Sequence, residues 1–366
     1  VKNSGESSQI RVLIVDDSAF MRTALARMIS SDPELWVVGT AMNGLEALQR
    51  IPTLNPDVIT LDLQMPGLDG LQTLKRIMAE FPRPVIIVST LDPRNADSTL
   101  GGLEAGAFDY VAKQLSSASL DILHIRQDLL AKIKAAAQTL RSRAPDAPPP
   151  KAPRKPSRPA PLPPNQADSS PLSIIALGTS TGGPKALQEI LPLLPADLSV
   201  PIVIVQHMPS GFTGPFAKRL NSLCAVSVRE AAHGESLDPG VVYIAPAGLH
   251  LTVDRTGPRG SICLSQAPAN QLHTPSVDIM MHSVADAFHS QAMGIIMTGM
   301  GADGSLGMQS IHQAGGFTLG QDERTCAVYG MPKVCAEMGI LDRVVSLTEI
   351  PHEILQATHQ EKRSVG

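Results

Sequence analysis

Residues 172–187 read LSIIALGTSTGGPKAL. A run of apolar, β-favouring residues meets a glycine-rich turn, and a helical pattern follows. That order, strand then turn then helix, is the unit from which parallel α/β sheets are built. Two chemistries use the same local geometry: a glycine loop can cradle the phosphates of a nucleotide, or a sharp turn can present a nucleophilic serine. The nucleotide fingerprints GxGxxG and GxxxxGK[ST] do not fit the stretch. Gly178, Ser180 and Gly182 instead spell GxSxG, the pattern of a serine held on a strand-to-helix turn. Pro184 suits the first helical position, which predicts Gly183 as N-cap and leaves Ser180 without a capping role. Ser180 would then lie near a helix N-terminus, where developing negative charge is favoured.

The pattern repeats downstream. PIVIVQ runs into His207, and AMGIIMT opens into GMGADG, which presents Asp303. A serine nucleophile needs a base and a group that orients the base, and these residues stand at three strand ends of one expected sheet. The glycines around Met300 allow close backbone approach, so its amide is a candidate oxyanion donor. The segment from VYIAPAGLHLTV through GSICLSQ reads as a hairpin-like insertion.

Upstream, residues 144–171 read APDAPPPKAPRKPSRPAPLPPNQADSSP. Proline at that density fixes φ and removes backbone donors, which predicts a semi-extended spacer. Before it, the apolar runs IRVLIV, LWVVGTA, DVITLDL, PVIIVST and DYVAK alternate with amphipathic stretches, so a second parallel α/β sheet is expected. The first of these runs ends at Asp16 and Asp17, and the third presents Asp62. Ser89 and Lys113 end the fourth and fifth. Three carboxylates at one sheet rim repel unless a cation neutralises them. Magnesium takes few carboxylates and keeps room for a phosphoryl oxygen, which makes this a candidate Mg2+ and phosphoryl site. The plainer reading is that the aspartates cap the helices that follow them.

At 366 residues the chain is long enough for two domains, and 43% hydrophobic residues can fill two cores. With 3% aromatics, packing falls to Val, Ile, Leu, Ala and Met. A net charge of −4 without a basic patch argues against nucleic acid. Cys224, Cys263, Cys326 and Cys335 form no CxxC pair and are expected to be reduced and buried. No apolar run could span a bilayer and no signal-peptide pattern opens the chain, so a cytoplasmic location is expected.

VDDSAFMR, LDLQMPGLDG, VST and YVAK resemble the signatures of a response-regulator receiver domain. The resemblance implies a flavodoxin-like (βα)5 fold over residues 8–128 with Asp62 as phosphoacceptor. It implies Mg2+ held by Asp16, Asp17, Asp62 and the Gln64 carbonyl, phosphoryl contacts from Ser89 and Lys113, and Tyr110 at the aromatic switch position. Gln114 stands where the family usually has proline, and a trans peptide is expected there. GTSTGGPKAL, VQHMP, VYIAPAGLH, TPSVD and TGMGADG resemble the catalytic domain of CheB-type protein-glutamate methylesterases. That implies a doubly wound, mostly parallel, three-layer α/β domain over 172–358, with 129–171 a helix extension and proline-rich linker. It makes Ser180 the nucleophile, His207 the base and Asp303 its orienting carboxylate, and places Thr181 and Met300 at the pocket and oxyanion site. Thr274–Asp278 falls at the cleft rim, and His250 and His273 are structural or substrate-side groups.

The implied activity is hydrolysis of glutamate γ-methyl esters on chemoreceptor helices in chemotaxis adaptation, with glutamine deamidation as a second activity. A chemotaxis histidine kinase would be the phosphodonor. The unphosphorylated receiver would lie across the esterase cleft, and a monomer is expected. The competing reading is a non-catalytic response regulator whose output domain binds a nucleotide; it leaves His207 and Asp303 without a role.

Overall fold

The computed structural model describes residues 9–89, 96–113, 119–142, 171–255, 257, 259–269 and 271–359. It divides into two compact units, Val1–Arg154 and Lys155–Gly366, and each contains its own apolar core.

The first unit alternates β1 (Ile10–Val15), α1 (Ala19–Ser30), β2 (Leu35–Ala41), α2 (Gly44–Leu54), β3 (Val58–Leu61), α3 (Gly70–Glu80), β4 (Val85–Ser89), α4 (Ala96–Glu104), β5 (Asp109–Ala112) and α5 (Ser119–Ser142). Its sheet has the order β2-β1-β3-β4-β5, and every neighbouring pair is parallel. The continuous apolar runs of β3 and β4 are buried along their whole length, as a sheet covered on both faces demands. Ser18, Asn43 and Asp69 accept N–H bonds from Met21, Glu46 and Gln72 and start α1, α2 and α3. The capping work falls to them, so Asp16, Asp17 and Asp62 are left for another purpose. Leu129, Ile133, Ala136 and Ala137 of α5 join the core of this unit; the packed part of that helix continues beyond residue 128.

The second unit follows β6 (Ile174–Thr179), α6 (Gly183–Ile190), β7 (Ile202–Gln206), α7 (Thr213–Leu223), β8 (Ser227–Glu230), β9 (Val241–Ile244), β10 (His250–Asp254), β11 (Ser261–Ser265), α8 (Val277–Phe288), β12 (Ala292–Ile296), α9 (Ser305–Gln313), β13 (Phe317–Gln321), α10 (Met331–Glu337), β14 (Arg343–Val345) and α11 (Ile350–His359). Its seven-stranded sheet has the order β14-β13-β12-β6-β7-β9-β8, parallel throughout. Ile174, Ala176, Val203 and Val205 pack with Met280, Met281, Val284 and Phe288 of α8. Their strand neighbours Ile175, Leu177, Ile202 and Ile204 are also fully buried. Side chains alternate across a strand, so both faces are covered and the unit has three layers.

Two local expectations change. The hairpin is β10 paired antiparallel with β11, but Val241–Ile244 is not part of it: β9 lies within the main sheet between β7 and β8, and its four residues are buried. The N-cap of α6 is Gly182, with φ +77°, rather than Gly183. An L side chain rarely adopts that conformation, and proline fits anywhere in the first turn, where N–H groups have no helical partner. No disulfide forms among the cysteines, and only Cys335 is buried; the other three are half-buried.

Chain order places the crevice. The second unit begins at β6, adds β7 on one side and later returns to set β12 on the other. Open α/β sheets bind ligands outside the carboxyl ends of strands at such a reversal.

Candidate active site

Thr179 of β6 lies opposite Gln206 of β7 in the parallel register, so Ser180 and His207 are the first residues past two adjacent strand ends. The His207 N–H donates to the Thr179 carbonyl at 3.2 Å. The Gln206 amide, almost wholly buried, donates through Nε2 to the Ser180 and His207 carbonyls, each at 3.0 Å. One side chain thus ties the serine turn to the histidine loop. From the other side comes Thr298, just beyond β12. Its carbonyl accepts the Ser180 N–H at 3.0 Å and the Thr179 hydroxyl at 2.8 Å. Its hydroxyl donates to the Thr181 carbonyl at 2.9 Å and accepts the Val328 N–H at 3.0 Å. Gly299 follows, and a Cβ there would lie 2.9 Å from the Ser180 Cβ and 3.1 Å from its nitrogen. Only glycine lets the loop carrying Met300 come so near the serine.

His207 Nε2 lies 2.8 Å from Asp303 Oδ2. A carboxylate only accepts, so the neutral ring carries its proton on Nε2 and leaves the Nδ1 lone pair as acceptor. Nδ1 is buried and makes no hydrogen bond among the described residues; the Ser180 hydroxyl is not bonded to it here. Catalytic hydrogen bonds are often open before substrate binds. Asp303 in turn takes the Val277 N–H at 2.8 Å, the Asp278 N–H at 3.0 Å and the Ser276 hydroxyl at 2.9 Å. The first two donors belong to the opening turn of α8, where the helix field also favours an anion. Burial pushes the Asp303 carboxyl up, but the His207 contact and the two amides outweigh it and hold the group well below the usual carboxylate range.

The strand ends bring Ser180, His207 and Asp303 to one rim, with Thr181 buried and Met300 half-buried on the loop after β12. His250 is buried and its Nδ1 accepts the Ser276 N–H at 3.2 Å; burial lowers its pKa below the ordinary imidazole value. The His273 ring stacks on His207 with centroids 4.1 Å apart and planes at 17°. Thr274–Asp278, expected at the rim, also supplies the donors that hold Asp303. Gln206 and Thr298 carry no role in the sequence analysis; the signal for them was membership of the quoted VQHMP and TGMGADG stretches, one residue before His207 and two before Met300.

In the first unit, carboxylate oxygens of Asp16, Asp17 and Asp62 lie within 4.8 Å of one another. Lys113 Nζ reaches Asp16 Oδ2 at 2.8 Å and Asp62 Oδ2 at 2.6 Å. Asp17 is exposed, while Asp16 and Asp62 are buried. The Gln64 N–H donates to Asp62 Oδ1 at 3.1 Å. Burial raises the Asp62 carboxyl above its ordinary value, with Lys113 opposing and the Asp16 charge adding to the rise. The Ser89 hydroxyl is buried and finds no hydrogen-bond partner among the described residues. An oxygen-rich cluster of this kind suits a hard cation. Tyr110 is buried, and Lys132 Nζ sits 5.3 Å above its ring. Gln114 lies outside the described residues.

Residues 175–354 match the family model described as CheB methylesterase, and residues 12–123 match the response regulator receiver domain. A protein-glutamate methylesterase/protein-glutamine glutaminase 2 of Nitratidesulfovibrio vulgaris is 45% identical over 366 residues, covering 96% of this chain and 100% of its own. The chain belongs to the CheB family. A protein-glutamate methylesterase/protein-glutamine glutaminase of Halalkalibacterium halodurans is 44% identical over 349 residues, covering 95% of this chain and 98% of its own. The crystal structure of the Thermotoga maritima CheB methylesterase catalytic domain superposes with a TM-score of 0.50 at 38% identity, over 51% of this chain and 99% of that one. In a CheB-family chain the glycine turn at Gly178–Gly183 belongs to a hydrolase, and the nucleotide-binding alternative gives way to it.

Proposed function

We propose that this chain is a phosphorylation-regulated protein-glutamate methylesterase acting on the cytoplasmic helices of chemoreceptors. The observation that carries the proposal is the state of His207, one residue past the strand next to the one that leads into Ser180: Nε2 is fixed on the Asp303 carboxylate, and Nδ1 is a buried acceptor with no hydrogen bond among the described residues. In this reading Nδ1 takes the Ser180 hydroxyl proton while Oγ attacks the ester carbonyl carbon. Asp303 balances the imidazolium that forms, and backbone donors near Met300 face the oxyanion. Nδ1 returns the proton to the departing methoxide and methanol leaves. A water, deprotonated by the same nitrogen, then opens the acyl-enzyme to glutamate. Thr181 shapes the pocket floor. A glutamine side chain presents the same carbonyl with ammonia as leaving group, and the relatives' names carry that second activity.

In the first unit Asp62 is the phosphoacceptor, and a chemotaxis histidine kinase is the donor. Ser89 and Lys113 contact the transferred phosphoryl group. Asp16, Asp17, Asp62 and the Gln64 carbonyl would hold Mg2+, which when bound neutralises charge on the phosphoryl oxygens. Phosphorylation then controls the second unit. Among the described residues no helix is long and apolar enough to cross a membrane; we place the chain in the cytoplasm, as a monomer that visits membrane-bound receptors.

A serine-directed phosphonate ester tests the triad without a receptor. It should modify the intact chain at Ser180, as located by peptide mass spectrometry, and His207→Ala should slow modification about 10³-fold or more. Modification elsewhere, or at an unchanged rate in the variant, contradicts the assignment.

A further inference from the structure

His207 is held at one edge and on one face. The edge contact is Asp303 at Nε2, a bond that fixes one ring atom and does not by itself fix the tilt of the ring plane. The face contact is His273, stacked at 4.1 Å and 17°. His273 and the groups that hold Asp303 lie on one short strap. The Thr274 carbonyl takes the Gly248 N–H at 3.1 Å, the Ser276 N–H is anchored on His250 Nδ1, and Ser276 gives its hydroxyl to Asp303. His273 therefore rides on a segment pinned just beyond it and tied to the same carboxylate that orients the base.

We infer that His273 is a positioning residue for the esterase reaction: its flat face fixes the plane of His207 and so the direction of Nδ1 toward Ser180. The inference rests on the triad proposed above. It requires a planar ring at position 273, stacked on the face of His207. A misdirected base costs rate in the chemical step and leaves substrate binding nearly alone.

The test uses the full chain, activated with a small phosphodonor, on methylated chemoreceptor membranes. Methanol release gives kcat and KM, and phosphonate modification of Ser180 gives a receptor-free rate. His273→Ala and His273→Leu should lower kcat and the modification rate roughly 10- to 100-fold with KM within about twofold, while His273→Phe keeps the stack and stays within about threefold of the unaltered chain. Unchanged rates in the alanine variant, a fall carried by KM alone, or a phenylalanine variant as slow as the leucine one would each overturn the inference. Should the alanine variant fail to fold by circular dichroism, leucine against phenylalanine decides in the same way. An unaltered chain that neither releases methanol nor takes the phosphonate overturns the esterase reading itself, and this inference with it.

Discussion

At Asp303 the same contacts that orient His207 also stabilise the fold, and the two roles separate by pH. The folded chain holds this carboxyl below its unfolded value near 3.8. Its stabilisation is therefore fully present above about pH 4 and drains away as pH falls through the folded value. Asp303→Asn should flatten that acid-side loss in urea unfolding, worth on the order of 2 kcal/mol, and at neutral pH should cut methanol release by about 10³- to 10⁴-fold. Asp62 has the opposite sign. Burial raises its carboxyl, so its contribution is present at low pH and lost as pH rises through the folded value, and at neutral pH the charge is a cost. Asp62→Asn should raise the stability of the first unit at pH 7. It should also weaken the stabilisation by added Mg2+, which follows mass action on the folded state. Thermal unfolding with and without Mg2+ checks both; an equal Mg2+ effect in the variant would count against Asp62 as a ligand.

Among the elements, the strand ends of β6, β7 and β12 decide the site, and their legibility in sequence was uneven. Ser180, His207 and Asp303 could be found because each follows an apolar run and stands beside glycine or proline. Gln206 and Thr298 could not, because their roles rest on bonds between residues far apart in the chain: Gln206 to Ser180 spans 26 positions and Thr298 to Thr181 spans 117. β9 reads as part of the hairpin because its short run leads directly into the turn before β10. β13 and β14 give no clear strand signal: FTLGQ mixes glycine and polar groups, and RVV is three residues long. In the first unit, five apolar runs separated by amphipathic stretches were enough. Gln206→Leu removes both donors that join the serine turn to the histidine loop. It should destabilise the second unit by about 2–4 kcal/mol in urea and lower kcat more than it changes KM. A loss below about 0.5 kcal/mol would mean that the two loops are held by other contacts.

For the molecule as a whole, two units with separate cores carry the proposed phosphoryl site and the proposed triad, and the central claim is that the first governs chemistry at Ser180. Residues 172–366 alone should demethylate receptors faster than the full chain without phosphodonor, and equal rates would remove the inhibitory role of the first unit. The most direct measurement is methanol release from methylated chemoreceptor membranes by the full chain and its Ser180→Ala variant, with and without a small phosphodonor. The account predicts release that rises with phosphodonor and disappears in the variant. Release that persists in Ser180→Ala, or none from the unaltered chain on membranes that a functional methylesterase cleaves, would contradict it.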